Sequence, residues 1–135
     1  MPGVNFTLVS PEKHVLTMDV DMVVVPGEEG NIGVLPNHAA LISTIRPGIV
    51  TTYQGDTKRH IFVSGGFANI TEESCIVLAE KCQLVEDMNL LDLELKSKEI
   101  DDEIEIARSD REREELSETQ KIIQTQIHLL KKLGK

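Results

Sequence analysis

Apolar residues occupy every even position from Leu16 to Val24 (Leu16, Met18, Val20, Met22, Val24), with Thr17, Asp19 and Asp21 between the first four. An alternation of period two puts one set of side chains on one face, which predicts a half-buried strand with its even positions inward. Shorter runs rich in β-formers follow at 49–53, 60–64, 67–71 and 75–79. Turn chemistry separates them: Pro26-Gly27-Glu28-Glu29-Gly30, Pro47-Gly48, Gln54-Gly55-Asp56 and Glu72-Glu73-Ser74. Many short strands at close spacing predict an antiparallel sandwich or barrel. Gly65-Gly66, between two of the runs, predicts a bend or bulge at a sheet corner.

The pattern changes after Phe67. All five prolines lie at or before residue 47, and eight of the nine glycines lie at or before residue 66. From Asn89 onward the apolar spacing becomes helical: Leu93, Ile100, Ile104 and Ala107, with Ser97 at one missing apolar position. Leu116, Ile123, Ile127, Leu130 and Leu133 continue it. Between the two series, Ser109 followed three residues later by Glu112 fits a capping box and predicts a second helix start. Two helices of about twenty residues, each about 30 Å long at the helical rise, would form a hairpin. No Gly or Pro enforces the break, so a bent or continuous helix stays open.

Composition and charge then exclude several classes of function. The 135 residues suffice for one ordinary domain and a small appendage. With 23 acidic and 14 basic residues the net charge is −9, the wrong sign for neutralising nucleic-acid phosphates. No apolar run approaches the roughly 20 residues of a membrane-spanning helix. The start, Met1-Pro2-Gly3-Val4-Asn5, has the features of neither a secretory signal nor a transit peptide, so the protein is expected to stay in the compartment where it is made. Cys75 and Cys82 lack CxxC spacing and read as small hydrophobes, not as ligands or a disulfide. Residues 86–105 hold nine acids and two lysines, a balance of −7, whereas residues 106–135 hold seven basic and five acidic side chains, a balance of +2. This contrast fits two solvated, partly paired faces of a hairpin, and it equally fits a mobile arm whose last helix seeks an acidic partner.

No catalytic residue, metal site or cofactor is expected. His14, His38, His60 and His128 are scattered, with no HExxH spacing, and there is no GxSxG elbow. Gly27, Gly30 and Gly33 recur every third residue, but no Lys-Ser or Lys-Thr pair follows as a phosphate loop requires. A turn supporting strand pairing accounts for them better.

Three stretches carry a family resemblance. The first is Gly30-Asn31-Ile32-Gly33-Val34-Leu35-Pro36-Asn37-His38-Ala39-Ala40-Leu41 with the following Ile45-Arg46-Pro47-Gly48-Ile49-Val50. The second is Ile61-Phe62-Val63-Ser64-Gly65-Gly66-Phe67-Ala68-Asn69-Ile70, and the third is Ile76-Val77-Leu78-Ala79-Glu80. In this order, with Leu8-Val9-Ser10-Pro11-Glu12 at the start, they resemble the epsilon subunits of bacterial F-type ATP synthases. Ala40 departs from the family, which usually has Pro there, and Asn69 sits in a normally plainer strand.

The resemblance implies a flattened β-sandwich of about ten antiparallel strands over residues 1–86. It also implies a C-terminal two-helix hairpin over residues 87–135. It implies a non-catalytic central-stalk subunit that helps couple proton transport to ATP synthesis, the ring and not this chain selecting proton or sodium. The sandwich would bind the gamma subunit and rest on the c-subunit rotor ring. Carried over by position, Glu28, Glu29 and Asn31 would face the ring, and Ser10, His38 and Ser43 would lie toward gamma. Asn31 falls where some relatives carry an acid. In the bacterial family the hairpin can extend toward the alpha/beta catalytic head and block hydrolysis. The basic candidates here are Arg108, Arg111, Arg113 and Lys121, with Lys131 and Lys132 further along. Some relatives bind ATP through an [IL]-D-x-x-R-A motif. Here Asp92 is in place, but Leu95 and Lys96 replace Arg and Ala, so weak or absent ATP binding is expected. The implied location is peripheral, on the cytoplasmic face of a bacterial inner membrane, with a plastid-encoded copy as the alternative. Two other classes compete with this reading: a free-standing binding module whose helices pair as a coiled coil, and a nucleotide sensor.

Overall fold

The computed structural model describes residues 3–11 and 15–134. Ten strands are followed by a short 3-10 turn and two helices. The chain divides into two compact units, one up to Asp87 and the other from Met88 onward.

The strands are β1 (Val4–Val9), β2 (Val15–Val20), β3 (Met22–Gly27), β4 (Gly30–Val34), β5 (Leu41–Ile45), β6 (Gly48–Gln54), β7 (Thr57–Val63), β8 (Gly66–Ile70), β9 (Ser74–Ala79) and β10 (Cys82–Leu84). They form one hydrogen-bonded path, β10-β7-β6-β3-β5-β8-β9-β1-β2, with β4 paired to β3. Pairing is antiparallel except between β1 and β9, which run parallel. The path curls so that β1 lies against β3 and β2 against β6. Between them sits one apolar core, including Phe6, Leu8, Val23, Val25, Val50, Ile61, Ile70 and Val77. The four runs predicted after residue 48 correspond to β6, β7, β8 and β9, those at 60–64 and 67–71 each passing the strand's end by one residue. The periodicity reading picked out neither β1, β4, β5 nor β10.

The predicted single strand at 16–24 is corrected. A bend at Asp21 divides it into β2 and β3, and the buried parity reverses there: Val20 is buried in β2, but Val23 and Val25 are buried in β3, with Met22 and Val24 only half-buried. Asp21 holds the bend from both sides. Its N–H donates to the Tyr53 carbonyl at 2.7 Å, and its Oδ2 accepts from the Gly55 N–H at 2.7 Å. One extra residue between two ladders flips every later side chain to the other face.

The corner predicted at Gly65-Gly66 lies between β7 and β8, which pair with different partners. Both glycines have positive φ, +121° and +146°. A Cβ on Gly66 would stand 1.9 Å from the Leu78 carbonyl oxygen, so only glycine lets β8 run this close to β9.

In the second unit, α1 spans Leu90–Ile106 and α2 spans Asp110–Lys132. Asn89 caps α1 by accepting from the Asp92 N–H at 3.2 Å. Ser109 caps α2 by accepting from the Glu112 N–H at 3.1 Å, while Glu112 Oε2 accepts from the Arg108 N–H at 3.3 Å. The Ser109 cap, with Glu112 reaching back to the Arg108 N–H and not to that of Ser109 as in a full capping box, thus starts a second helix without Gly or Pro. Ala107, expected on the apolar face of the first helix, instead has extended backbone and ends it. Ile100, Ile123 and Ile127 form the buried seam, flanked by Leu90, Leu93, Ile104 and Leu116. At the gap in the apolar pattern, buried Ser97 accepts from Gln124 Nε2 through its hydroxyl (2.6 Å) and from Gln120 Nε2 through its carbonyl (2.8 Å).

No disulfide joins Cys75 to Cys82. Cys75 lies in the sandwich core, and burial pushes its thiol from 9.0 up to about 12. The folded state therefore keeps a proton that the unfolded chain releases near pH 9. The stability this contributes is complete below pH 9 and is lost as pH rises toward about 12. Two outcomes are expected. Iodoacetamide at pH 8, read by mass spectrometry, leaves Cys75 unmodified until denaturant is added, and rapid labelling of the native protein would contradict its burial. Gly66→Ala destabilises the sandwich by about 3 kcal/mol in urea unfolding. Gly33→Ala, whose added Cβ meets nothing within 4 Å, stays within about 0.5 kcal/mol of the parent.

Candidate functional site

The sandwich presents two features that its own core does not use. The first is an apolar patch on the outer face of β5, β8, β9 and β1. Cross-strand register lines up Thr44, Phe67, Leu78 and Val9 in one row, and Ile42, Asn69, Ile76 and Thr7 in the next. Alternate residues of the same strands, Ile45, Ala68, Ile70, Cys75, Val77 and Ala79, face the core. Ile42 is 74% exposed, Phe67 57% and Leu78 51%. These strands therefore carry large apolar side chains on the outer face as well, interspersed with Thr44, Asn69 and Thr7, whereas a sheet with one wet face carries mainly polar residues there. An exposed cluster of large apolar side chains marks an interaction surface. A shallow cleft of about 360 Å³ opens at its edge, lined by Val9, Ser10, Pro11, Phe67 and Leu78 among others.

The second feature is the β3–β4 hairpin. Gly27 pairs with Gly30, leaving Glu28 and Glu29 as a two-residue turn with both side chains exposed. Gly27 and Gly30 approach closely, since a Cβ on Gly27 would stand 2.7 Å from the Gly30 carbonyl oxygen. The Glu28 N–H donates to the Thr44 carbonyl at 2.9 Å, which ties the tip to β5.

The residues expected to face partners distribute over these features. Glu28, Glu29 and Asn31 come together on the hairpin, where the Asn31 side-chain oxygen accepts from Arg46 Nη2 at 2.8 Å. Ser10 is buried at the cleft beside β9. His38 lies near the opposite end of β8: the neighbouring Asn37 N–H donates to the Glu72 carbonyl, and His38 Nδ1–H donates to the Ala39 carbonyl at 2.7 Å. The two ends of β8 are about 13 Å apart at the rise of a strand. Ser43 pairs with Ala68 and shares the inward parity of Ile45, so its neighbours Ile42 and Thr44 occupy the outer face. Ile42, Phe67 and Leu78 escaped sequence reasoning. Their signal was the combination of apolar odd and even positions within β8 and β9, which local alternation cannot assign to a face.

On the helical unit, Arg111 pairs with Glu115 at 3.4 Å and Arg113 with Asp110 at 2.8 Å, while Arg108, Lys121 and Lys132 are exposed. Lys131 reaches Glu94 of α1 at 3.8 Å. Such exposed pairs are worth about 0–1 kcal/mol, too little to withhold these cations from a stronger acidic partner. Asp92 is exposed in the first turn of α1, and Leu95 and Lys96 are exposed one turn on. Among the described residues no group of His, Cys, Asp and Glu could hold a metal ion, and no helix is long and apolar enough to cross a membrane.

The family described as ATP synthase, Delta/Epsilon chain, beta-sandwich domain matches residues 3–85. The ATP synthase epsilon chain of Rhodospirillum centenum is 46% identical over 131 residues, covering 93% of this chain and 88% of the relative. That of Rhodospirillum rubrum is 40% identical over 119 residues, covering 87% and 89%. The fold is shared with a chain of the Euglena gracilis mitochondrial ATP synthase OSCP/F1/c-ring structure, at a TM-score of 0.75 and 20% identity over 93% of this chain and 79% of that one. It is also shared with a chain of the central stalk/c-ring structure of the Tetrahymena thermophila enzyme, at 0.60 and 8% identity over 95% and 96%. With a matched family domain and relatives aligned along most of its length, the chain belongs to the ATP synthase epsilon chain family.

Proposed function

We propose that this chain is a non-catalytic subunit of the central stalk of an F-type ATP synthase, on the cytoplasmic face of a bacterial inner membrane. It joins the gamma subunit to the c-subunit rotor ring, so that proton-driven rotation is coupled to ATP synthesis. The observation that carries this reading is the exposed apolar patch of Ile42, Phe67, Ile76 and Leu78 on the outer face of the sandwich. An apolar face needs a permanent cover, and gamma is the cover proposed, with Ser10 and His38 near the two ends of the patch. The acidic hairpin of Glu28 and Glu29 is proposed to rest on the ring. A densely packed sheet core suits this role because it transmits load with little deformation.

The helical unit is proposed to regulate. Arg108, Arg111, Arg113 and Lys121 would meet acidic segments of the alpha/beta head when the hairpin extends, and so restrain ATP hydrolysis. Asp92 lacks the following arginine that would grip a phosphate, so no ATP site is proposed there.

Pull-down with purified gamma tests the first part. The full chain and residues 1–86 both capture gamma. Phe67→Ser/Leu78→Ser weakens capture at least about 100-fold, because buried aromatic and aliphatic anchors dominate such interfaces. The exposed positions of these side chains keep its stability within about 1 kcal/mol of the parent. Undiminished capture by the double variant would remove the patch from the interface. For the second part, truncation after Glu86 raises ATP hydrolysis by the assembled enzyme, and unchanged hydrolysis would end the regulatory reading.

A further inference from the structure

Arg46 stands in the two-residue link between β5 and β6, yet its bonds go to the β3–β4 hairpin. Its backbone N–H donates to the Pro26 carbonyl at 2.9 Å. Its guanidinium donates to the Gly27 carbonyl through Nη1 and to Asn31 Oδ1 through Nη2. Gly27 belongs to β3 and Asn31 to β4, so one planar fork spans both strands just below the Glu28-Glu29 turn. Two acceptors on separate strands suit the rigid fork of arginine and not the single ammonium of lysine.

The hairpin needs such a brace. The opposite edge of β3 pairs with β6 only over Met22–Val24, and with β5 only at Gly27. Beyond Val24 the tip extends past the ladder that fixes the rest of β3. What holds it from outside is the β5–β6 corner, through the Thr44 carbonyl, the Gly27–Ile45 pair and Arg46. The corner itself is stiff. Pro47 biases Arg46 toward extended backbone, and a Cβ on Gly48 would stand 2.9 Å from the Pro26 side chain.

We propose that Arg46 is the positioning residue of this hairpin: by clamping Gly27 and Asn31 it sets the direction in which Glu28 and Glu29 are presented. The docking part of this inference rests on the reading that the tip faces the rotor ring; the clamp itself does not. Asn31 thereby acquires a role distinct from partner contact, since its amide oxygen is turned to Arg46. An acid at this position would serve the clamp at least as well, because hydrogen bonds between charged groups are the stronger ones.

The test uses the full chain, alone and in complex with gamma. In the isolated chain, hydrogen exchange of the amides at 28–31 rises about tenfold in Arg46→Ala, the scale expected for losing a hydrogen bond of a charged group. Exchange within β8 and β9 is unchanged. Arg46→Lys restores part of the protection and Asn31→Asp retains or increases it. Asn31→Ala, which removes one of the two side-chain bonds, loosens the tip by less and serves if Arg46→Ala fails to fold. Parent-like exchange in these alanine variants would overturn the clamp. Affinity of the gamma complex for detergent-purified c-ring separates the two ideas. If Glu28→Lys/Glu29→Lys leaves ring affinity unchanged, the ring-facing reading fails, whatever the exchange data show. If that charge reversal weakens binding while a loosened Arg46→Ala tip binds like the parent, the positioning role fails. Weakening by both, with partial rescue by Arg46→Lys, is the expected result.

Discussion

The backbone of β8 runs so near β9 that a single Cβ on Gly66 would meet the Leu78 carbonyl oxygen at 1.9 Å. Much else depends on this approach. It allows the corner at which the chain leaves the β6–β7–β10 side of the path and enters the β5–β8–β9–β1 side. It brings Phe67 opposite Leu78 on the outer face while Ala68, Val77 and Ala79 close the core on the inner face. The residue that permits the fold is thus adjacent to the residues that form the proposed docking patch. A side chain at Gly66 would disturb both together.

The same sandwich solves two opposed demands with neighbouring strands. β5, β8 and β9 carry large apolar side chains on both faces, which secures a core on one side and leaves a sticky patch on the other. The β3–β4 hairpin takes the opposite course: its tip is charged, short and tied back by Arg46 and Thr44 instead of by apolar packing. An apolar face suits a permanent neighbour; a polar, braced tip suits a contact with a hydrated loop surface.

The two helices meet along a seam that is part apolar and part polar. Three isoleucines make its buried apolar part, and a polar cluster of Ser97, Gln120 and Gln124 fills the middle. Gln120 Nε2 also reaches Asp101 at 2.7 Å, while Gln120 Oε1 is buried without a partner. The hydrogen bonds of this polar cluster are ones that water could also make. The caps at Asn89 and Ser109 stabilise each helix separately, without requiring the seam.

The amino-acid sequence by itself determined that strands precede helices, and it marked the turn at Gly27–Gly30, the corner at Gly65–Gly66 and the cap at Ser109. These features rest on short-range sterics and hydrogen bonding, which act within a few residues. It also carried the family words on which the proposed partner-facing roles of Glu28, Glu29 and His38 rest. Only the tertiary structure decided which side of each strand is covered. Period-two alternation says that Ile42 and Thr44 share a face, and that Ser43 and Ile45 share the other, but the core lies wherever distant strands arrive. Hence the parity reversal at Asp21, held by Tyr53 and Gly55, and the exposure of Phe67 and Leu78 could not be read locally. Ala107 likewise fits a helical pattern by spacing, yet the next helix is capped only two residues on, at Ser109, and the first one ends at Ile106. Arg46 and Asn31, fifteen residues apart, become partners only because the hairpin folds back onto the β5–β6 corner.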